Sequence, residues 1–136
     1  MARLTQLRTL LTANDLSETI AFYERLGFEC IGTWVPPGHD DGKPVWCQVA
    51  RDDVKLMFNQ GDSEPHDDGD GVMHVHEPGM EGYIYLDVDD VDALFADVKS
   101  VVHEFEHELA DQPHGMREFA LRDPNGYQLI FGAPTS

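Results

Sequence analysis

The sequence predicts an α+β fold built from two βαβββ modules. The first observation behind this prediction is an internal repeat, in which Leu10-Leu-Thr-Ala-Asn-Asp15-Leu aligns with Tyr85-Leu-Asp-Val-Asp-Asp90-Val. The second is that an amphipathic helix and three strand-like runs follow each copy. Between the halves, residues 61–82 are rich in Asp, Gly, Pro, His and Glu and show no periodicity. We expect a single domain with modules at 1–60 and 82–136, joined by an acidic linker at 61–81.

The N-terminal module starts with a predicted strand at 9–13 and a helix at 16–26. Asp15 is a favourable N-cap, and Glu18 lies three residues on, which is the spacing of a capping box. Apolar residues three or four apart give this helix one buried face, and Gly27 ends it. The three strands that complete the module are expected at 28–33, 45–51 and 54–59.

The C-terminal module repeats this order, with a strand at 83–88, a helix at 91–99 and a further strand at 101–109. The stretch 117–132 predicts a β-hairpin closed by the turn Asp123-Pro-Asn-Gly126. Alternation along the hairpin assigns its side chains to two faces. The core face carries Phe119, Leu121, Leu129 and Phe131, and the other face carries Glu118, Arg122, Gln128 and Ile130.

Composition and charge are typical of a soluble globular chain. The 136 residues are 41% hydrophobic and 26% charged. No apolar run approaches the ~20 residues of a membrane span, and the N-terminus lacks the apolar stretch of a secretion signal. We therefore expect a cytoplasmic protein that binds no membrane. The net charge of -17, from 26 acidic and 9 basic residues, argues against a nucleic-acid partner.

The cysteines do not form a recognisable metal or redox motif. Cys30 and Cys47 fall in predicted strands at no metal-binding spacing, which is typical of small core residues in a cytosolic chain. The sequence also lacks a Gly-rich phosphate loop and a Gly-x-Ser-x-Gly nucleophile motif. Nucleophilic catalysis and phosphate transfer are therefore not predicted.

Two pairs of histidines would each share one face of an extended segment, and the pair His74 and His76 resembles a metal chelate. His74 and His76 would share a face of an extended segment, but they lie in the acidic linker, where exposed histidines without fixed geometry are the commoner case. His103 and His107 would share a face of the strand predicted at 101–109 and are candidate groove residues.

Two longer motifs resemble those of a known family. The run Asp15-Leu-Ser-Glu-Thr-Ile-Ala-Phe-Tyr-Glu-Arg-Leu-Gly-Phe28 resembles the first-helix signature of the vicinal oxygen chelate superfamily, and 117–132 resembles its closing hairpin. That superfamily includes glyoxalase I, extradiol dioxygenases, fosfomycin resistance enzymes and bleomycin resistance proteins. The resemblance covers nearly the whole chain and implies the glyoxalase/bleomycin resistance fold. In that fold paired βαβββ modules curl mixed sheets around a shared groove, usually in a homodimer.

The enzymes of this superfamily place metal ligands at four strand positions. The resemblance carries these positions to Arg8, Lys55, Tyr83 and Ile130. An arginine cannot ligate usefully, a lysine would first have to lose its proton, and an isoleucine has no lone pair. We therefore expect the usual metal centre to be absent and no cofactor to be bound.

Metal ligands displaced by two residues are an alternative, because such residues keep the same strand face. Gln6, Glu81 or Asp87, and Gln128 would form this set. It is rich in oxygen and would bind a hard cation weakly. The chain would then be a metal-dependent lyase, isomerase or dioxygenase of the superfamily.

Without a metal, the chain most resembles the bleomycin-resistance-like branch, whose members sequester a small molecule in the groove. The face opposite the helices would line that groove with aromatic walls and a few polar groups, as small-molecule sites require. Trp34, in the connector after the second strand, would close its mouth. The predicted ligand-binding residues are Arg8, Trp34, Trp46, Gln48, Lys55, Met57, Asn59, Tyr83, Tyr85, Glu118 and Arg122.

The charge of the ligand stays open at this point. The acidic excess favours a cationic or amphipathic ligand, whereas Arg8 and Lys55 would favour a carboxylate or phosphate if they face the groove. Glu118 and Arg122 lie ~13 Å apart along a strand, so they do not predict a catalytic dyad. A third interpretation is an interaction module whose groove is filled by its own dimer partner.

Overall fold

The structure is a computed structural model that describes residues 2–38, 41–61 and 82–135, together with the backbone of 66–67 and 73–74. The chain divides into two compact units, Met1–His76 and Glu77–Ser136. Among the described residues, no helix is long and apolar enough to cross a membrane.

The N-terminal unit is a four-stranded mixed sheet that packs against one helix. Its strand order is β1-β4-β3-β2, with β1 parallel to β4 and the other neighbours antiparallel. The elements are β1 Thr9–Ala13, α1 Leu16–Arg25, β2 Glu29–Trp34, β3 Trp46–Arg51 and β4 Val54–Gln60. Two further strands of two residues, β5 (His66–Asp67) and β6 (Met73–His74), pair with each other inside the segment predicted as a linker.

The C-terminal unit has the same topology. Its strand order is β7-β10-β9-β8, and β7 is parallel to β10 as β1 is to β4. The elements are β7 Tyr83–Asp87, α2 Val91–Lys99, β8 His107–Asp111, β9 Met116–Arg122 and β10 Gln128–Pro134. The predicted α+β fold of two βαβββ modules is therefore confirmed.

Both helices begin where the sequence places a capping aspartate. Asp15 Oδ1 accepts the backbone N–H of Glu18 at 3.2 Å, and Asp90 Oδ1 accepts that of Ala93 at 3.0 Å. These bonds satisfy amide groups that have no partner within the first turn. The first helix ends at Gly27, whose φ of +88° is accessible to glycine at little cost.

Each unit has an aromatic core between its helix and one face of its sheet. In the first, the Tyr23 ring lies 5.3 Å from the Phe58 ring, which joins α1 to β4. In the second, Phe119 lies 5.1 Å from Phe95 of α2 and stacks on Phe131 at 5.0 Å. The register pairs Phe131 with Phe119 and Leu129 with Leu121, so the core face predicted for the hairpin is confirmed.

The strand predicted at 101–109 is wrong in its first half, because β8 begins only at His107. The N–H groups of Val101 and Val102 bond back to the Val98 carbonyl at 3.0 and 2.8 Å, which prolongs the turn that ends α2. Phe105 then packs beside Phe95 and Phe119 instead of entering the sheet. His103 is consequently not on a strand and shares no strand face with His107.

The turn of the closing hairpin is held by a buried aspartate. Asp123 Oδ1 accepts the N–H groups of Asn125 and Tyr127, both at 2.9 Å. The Asp123 N–H in turn donates to the Tyr127 carbonyl at 2.9 Å, and Gly126 has a φ of +91°. One side chain therefore fixes the conformation that brings β9 and β10 together.

Replacing Asp123 by alanine should lower the free energy of unfolding by about 2 kcal/mol, because two buried N–H groups would lose their acceptor. Urea unfolding monitored by circular dichroism measures this change. Asp53→Ala is the control, since Asp53 is exposed in the β3–β4 turn, and it should change stability by less than about 0.5 kcal/mol. Equal effects of the two substitutions would contradict a special role for the Asp123 carboxylate.

Candidate functional site

Each sheet has one face that packs against its helix and a second face that does not, here called the helix-free face. In the N-terminal unit, strand register arranges the helix-free face in rows of neighbours. One row is Trp34, Trp46, Asn59 and Thr12, and the next is Gly32, Gln48, Met57 and Leu10. Lys55 lies opposite Ala50 in a third row. The residues proposed from the sequence for this unit lie on these rows or, for Arg8, directly before β1.

Trp34 lies in a strand and not in a connector, which corrects the sequence expectation. It is the last residue of β2 and is paired directly with Trp46 of β3. The N–H of Val45, the residue before β3, donates to the Trp34 carbonyl at 2.9 Å, so the hydrogen bonding between β2 and β3 begins one residue before β3. The Trp46 ring leans over Gly32, where an added Cβ would lie 3.3 Å from the ring. The two indoles therefore form an apolar surface on the sheet, and Trp34 remains exposed.

A polar contact crosses the middle of the same face. Arg8 Nη1 donates to Gln48 Oε1 at 3.1 Å. Because β4 lies between β1 and β3, the arginine side chain passes over β4 to make this bond. Gln48 is only 7% exposed, so the guanidinium is held against a fixed acceptor.

In the C-terminal unit, the helix-free face contains a hydrogen-bonded acid. Glu118 is 7% exposed, and its Oε2 accepts the Tyr85 hydroxyl at 2.9 Å. His114 Nε2 lies 3.4 Å from the same oxygen, within hydrogen-bonding range when that nitrogen carries a proton. We call Tyr85, Glu118 and His114 the Glu118 cluster. It offers a carboxylate, a phenol and an imidazole to whatever contacts this face.

Gly132 makes the Glu118 cluster possible. Glu118 is paired directly with Gly132, whereas Tyr85 is paired with Ile130, so the tyrosine must lean along the sheet to reach the carboxylate. Its ring and hydroxyl lie over Gly132, and any Cβ there would collide with them. A glycine inside a strand is a known sign of such a close approach.

The cluster also changes the acidity of Tyr85. Desolvation, then the hydrogen bond to Glu118 and the negative charges of Glu118 and Asp87, raise the pKa of Tyr85 to about 12. Because 43% of the residue stays exposed, the nearby carboxylate is the cause that is specific to this site. Tyr85 is therefore a hydrogen-bond donor and not a base over the physiological range.

The other two residues proposed for this unit are placed differently. Tyr83 lies on the helix-free face, opposite Gln128, and is exposed. Arg122 is on the same face, but its guanidinium is paired with Glu106 and also donates to the Gly126 carbonyl at 2.9 Å. The structure therefore gives Arg122 partners within its own unit.

A separate cavity of about 400 Å³ opens at the start of α2 and contains none of the proposed residues. Arg117 bonds to the carboxylates of Asp92 and Asp111 at 3.0 and 3.1 Å, and its hydrogen bond to Asp92 lowers the pKa of that acid. The lining residues are Asp89, Asp90, Val91, Asp92, Asp111, Arg117, Ala133, Pro134 and Thr135. Arg117 thus pairs with two of the four lining carboxylates, and the cavity keeps a net negative charge.

Comparison with known families gives a match over residues 5–131 to the Glyoxalase/Bleomycin resistance protein/Dioxygenase superfamily. The chain belongs to this superfamily. The match spans both units and agrees with the topology described above. A comparison with curated proteins gives no match.

Several solved structures are similar to this chain over almost their whole length. A bleomycin resistance determinant encoded on the transposon Tn5 is 26% identical, covers 98% of this chain and 100% of its own, and has a TM-score of 0.67. A bleomycin-binding protein complexed with bleomycin is 23% identical, with coverage of 97% and 100% and a TM-score of 0.65. TioX from Micromonospora sp. ML1 is 18% identical, with coverage of 96% and 99% and a TM-score of 0.70.

The family resemblance carries the enzymes' metal positions to four residues of this chain, of which Arg8, Lys55 and Ile130 have side chains that do not suit a metal ion. Arg8 is engaged with Gln48, Tyr83 is exposed, and Ile130 presents a hydrocarbon side chain. Within the described ranges, no group of three or more His, Cys, Asp or Glu side chains could hold a metal ion. Of the alternative ligands, Asp87 and Gln128 lie on one helix-free face, whereas Glu81 lies outside the described residues. The side chains of His66, His74 and His76 also lie outside them.

Sequence reasoning missed two residues on which the Glu118 cluster depends. His114 reaches Glu118 because a turn at 112–115 folds it back toward β9, and no strand or helix periodicity predicts that contact. Gly132 did carry a usable signal, since an isolated glycine within an alternating strand indicates close approach of another group.

Spectroscopic titration of tyrosine should detect the Glu118 cluster directly. In the wild type, one phenol should ionise near pH 12, and Tyr85→Phe should remove that step while Tyr83→Phe retains it. The raised pKa favours the neutral phenol in the folded chain, so the stability it adds is complete below about pH 10 and is lost as the pH rises toward 12.

Gly132→Ala gives an independent check on the same contact. The added methyl group should displace Tyr85 and move its ionisation toward an ordinary tyrosine value near about 10. An unchanged step in this variant would show that Tyr85 does not depend on the space over Gly132.

Proposed function

We propose that this chain is a metal-independent protein that binds and sequesters a small molecule on its helix-free faces. The observation that carries the proposal is the exchange of metal ligands for Arg8, Lys55, Tyr83 and Ile130 at the superfamily's four positions. Lewis-acid chemistry would need lone-pair donors that Arg8, Lys55 and Ile130 do not supply at neutral pH. The faces have instead the composition of a binding surface.

Aromatic side chains give the proposed site its apolar area. Trp34 and Trp46 lie side by side in one unit, and Tyr83 and Tyr85 lie two residues apart on the same face of the other. Trp34, Tyr83 and Tyr85 are exposed, although aromatic rings of this size favour burial. A flat or aromatic ligand that covers the rings of one face would gain affinity from that burial. A polar group on the same face, Gln48 in the N-terminal unit or Glu118 in the C-terminal unit, would orient it through hydrogen bonds.

The comparisons support a natural-product ligand. One similar structure is a bleomycin-binding protein in complex with bleomycin, and another is a bleomycin resistance determinant. Bleomycin and related antibiotics are therefore the first compounds to screen. A homodimer, as the family resemblance implies, is part of the same proposal.

The second candidate is a metal-dependent lyase, isomerase or dioxygenase with displaced ligands. Two of its proposed donors, Asp87 and Gln128, share the helix-free face of the C-terminal unit. They lie four residues apart along the β7–β10 ladder, ~13 Å, so one ion could bind only one of them directly. Their carboxylate and amide oxygens suit hard cations such as Mg²⁺ or Mn²⁺. Metal binding separates this candidate from the first.

Elemental analysis of untagged protein, purified after incubation with Mn, Fe, Ni or Zn, should find well under one equivalent of metal per chain. The expectation follows from the absence of a matching set of donors at the superfamily's positions. Near-stoichiometric metal that is lost in Asp87→Ala or Gln128→Ala would favour the enzyme instead.

Trp46→Ala should weaken the binding of a ligand found by thermal-shift screening about tenfold or more, because the substitution removes the ring that covers Gly32. Tyr85→Ala should also weaken it if the ligand contacts the C-terminal unit. Val101→Ala, an exposed apolar position after α2, is the control and should leave the affinity unchanged. Calorimetric titration measures all three affinities, and wild-type affinity in both Trp46→Ala and Tyr85→Ala would refute the proposed faces.

A further inference from the structure

We infer that Arg8, Lys55 and Gln48 form a receptor for an oxyanion, so that the ligand carries a carboxylate, phosphate or sulfate group. We call these three residues the Arg8 cluster. The inference rests on the proposed function, because it assigns a chemical class to the ligand of the same helix-free face. The net charge of -17 alone would instead suggest a cationic ligand.

The first argument is the pairing of positive charges. Lys99 pairs with Glu108, Arg117 with Asp92 and Asp111, and Arg122 with Glu106. In a chain with 26 acidic and 9 basic residues, carboxylate partners are abundant. Arg8 and Lys55 nevertheless form no ion pair within the described part of the chain, which is also true of Arg3, Arg25 and Lys43. Arg8 and Lys55 differ from these three in lying next to each other on one sheet face.

The second argument is the spacing of these two cations. Thr9 is paired with Leu56 in the parallel β1–β4 ladder, and Arg8 and Lys55 are the residues directly before them. Their side chains therefore start from neighbouring positions on one face. Like charges placed side by side destabilise a sheet. An oxyanion between them would convert that repulsion into two charge-assisted hydrogen bonds.

The third argument is that the receptor is already organised and has room for a ligand. Gln48 holds the Arg8 guanidinium through one N–H group, which leaves further donors of that planar fork for an anion. Lys55 lies opposite Ala50, whose small side chain leaves space on that side of β4. An orientation fixed before binding lowers the entropy lost when the ligand binds.

The fourth argument is the neighbourhood of the cluster. Trp46 is two residues from Gln48 on β3, so its ring lies on the same face as the cluster. Glu29 lies in the row of Lys55, two strands away across Ala50, whereas the helix-free face of the C-terminal unit carries two acids, Asp87 and Glu118. The Arg8 cluster is therefore suited to an anionic group attached to an aromatic ring that packs on Trp46.

Three probes with one ring system and different charges test the inference. We would titrate the isotope-labelled full chain with 2-naphthoate, its neutral carboxamide and 2-naphthylmethylammonium, at about 0.1 M salt, where long-range repulsion is largely screened. Two-dimensional NMR would report the affinity and the amides that shift. Naphthoate should bind about tenfold more tightly than the carboxamide, and the amides of Gln48 and Lys55 should shift.

Variants assign that preference to the cluster. Arg8→Gln and Lys55→Met should each reduce the preference for naphthoate to about threefold or less, while binding of the carboxamide stays as in the wild type. Arg25→Gln is the matched control, because it removes the same charge from α1, on the opposite side of the sheet, and should keep the full preference. Circular dichroism would confirm that all variants are folded.

The outcomes separate this inference from the proposed function. Equal binding of the three probes, or tighter binding of the ammonium probe, would overturn the oxyanion receptor while leaving a Trp46-dependent binding site intact. Failure of naphthoate to bind, together with no shift at Gln48 or Lys55 in inorganic sulfate, would also overturn it. Loss of all binding on Trp46→Ala would support the proposed function whichever probe is preferred.

Discussion

The parallel pairing of the first and last strands of each unit is the constraint on which the described sites depend. β1 pairs with β4 and β7 pairs with β10, so the fourth strand of each four-stranded sheet lies beside the first. This register decides which side chains face the helix and which do not. A shift of one residue would turn Leu56 and Phe58 out of the core and bury Lys55 and Met57 in their place. The apolar core under α1 therefore also fixes the composition of the helix-free face.

Much of the fold can be predicted from local sequence, because its determinants act over short distances. Asp15 and Asp90 cap helices within three residues, and the alternation of Phe119 to Leu121 and Leu129 to Phe131 needs only the period of a strand. The strand prediction for residues 101–106 was wrong because of a tertiary contact. Its alternating residues look like a strand, but Phe105 packs on Phe95 of α2, which no strand periodicity reveals.

The candidate sites could be predicted only in part. Alternation along the strands correctly predicted the sheet faces on which Gln48, Tyr85 and Glu118 lie. The bond between Arg8 and Gln48 spans 40 residues of sequence, and that between Tyr85 and Glu118 spans 33. Both run diagonally across a neighbouring strand, so they depend on side-chain length and on the space left by that strand.

The duplicated topology does not carry duplicated chemistry. The helix-packed faces of both units are apolar and aromatic, because each must bury a helix. The helix-free faces have no such requirement and have diverged, with Arg8 bonded to Gln48 on one and Tyr85 bonded to Glu118 on the other. Gly132 shows how tightly such a face can be linked internally. The ring of Tyr85 fills the space that a side chain at residue 132 would need, so a larger residue at 132 requires a smaller one at 85. Among related chains, residues 85 and 132 should therefore vary as a pair, and a relative with glycine at 132 but a small residue at 85 would have an open notch beside its acid.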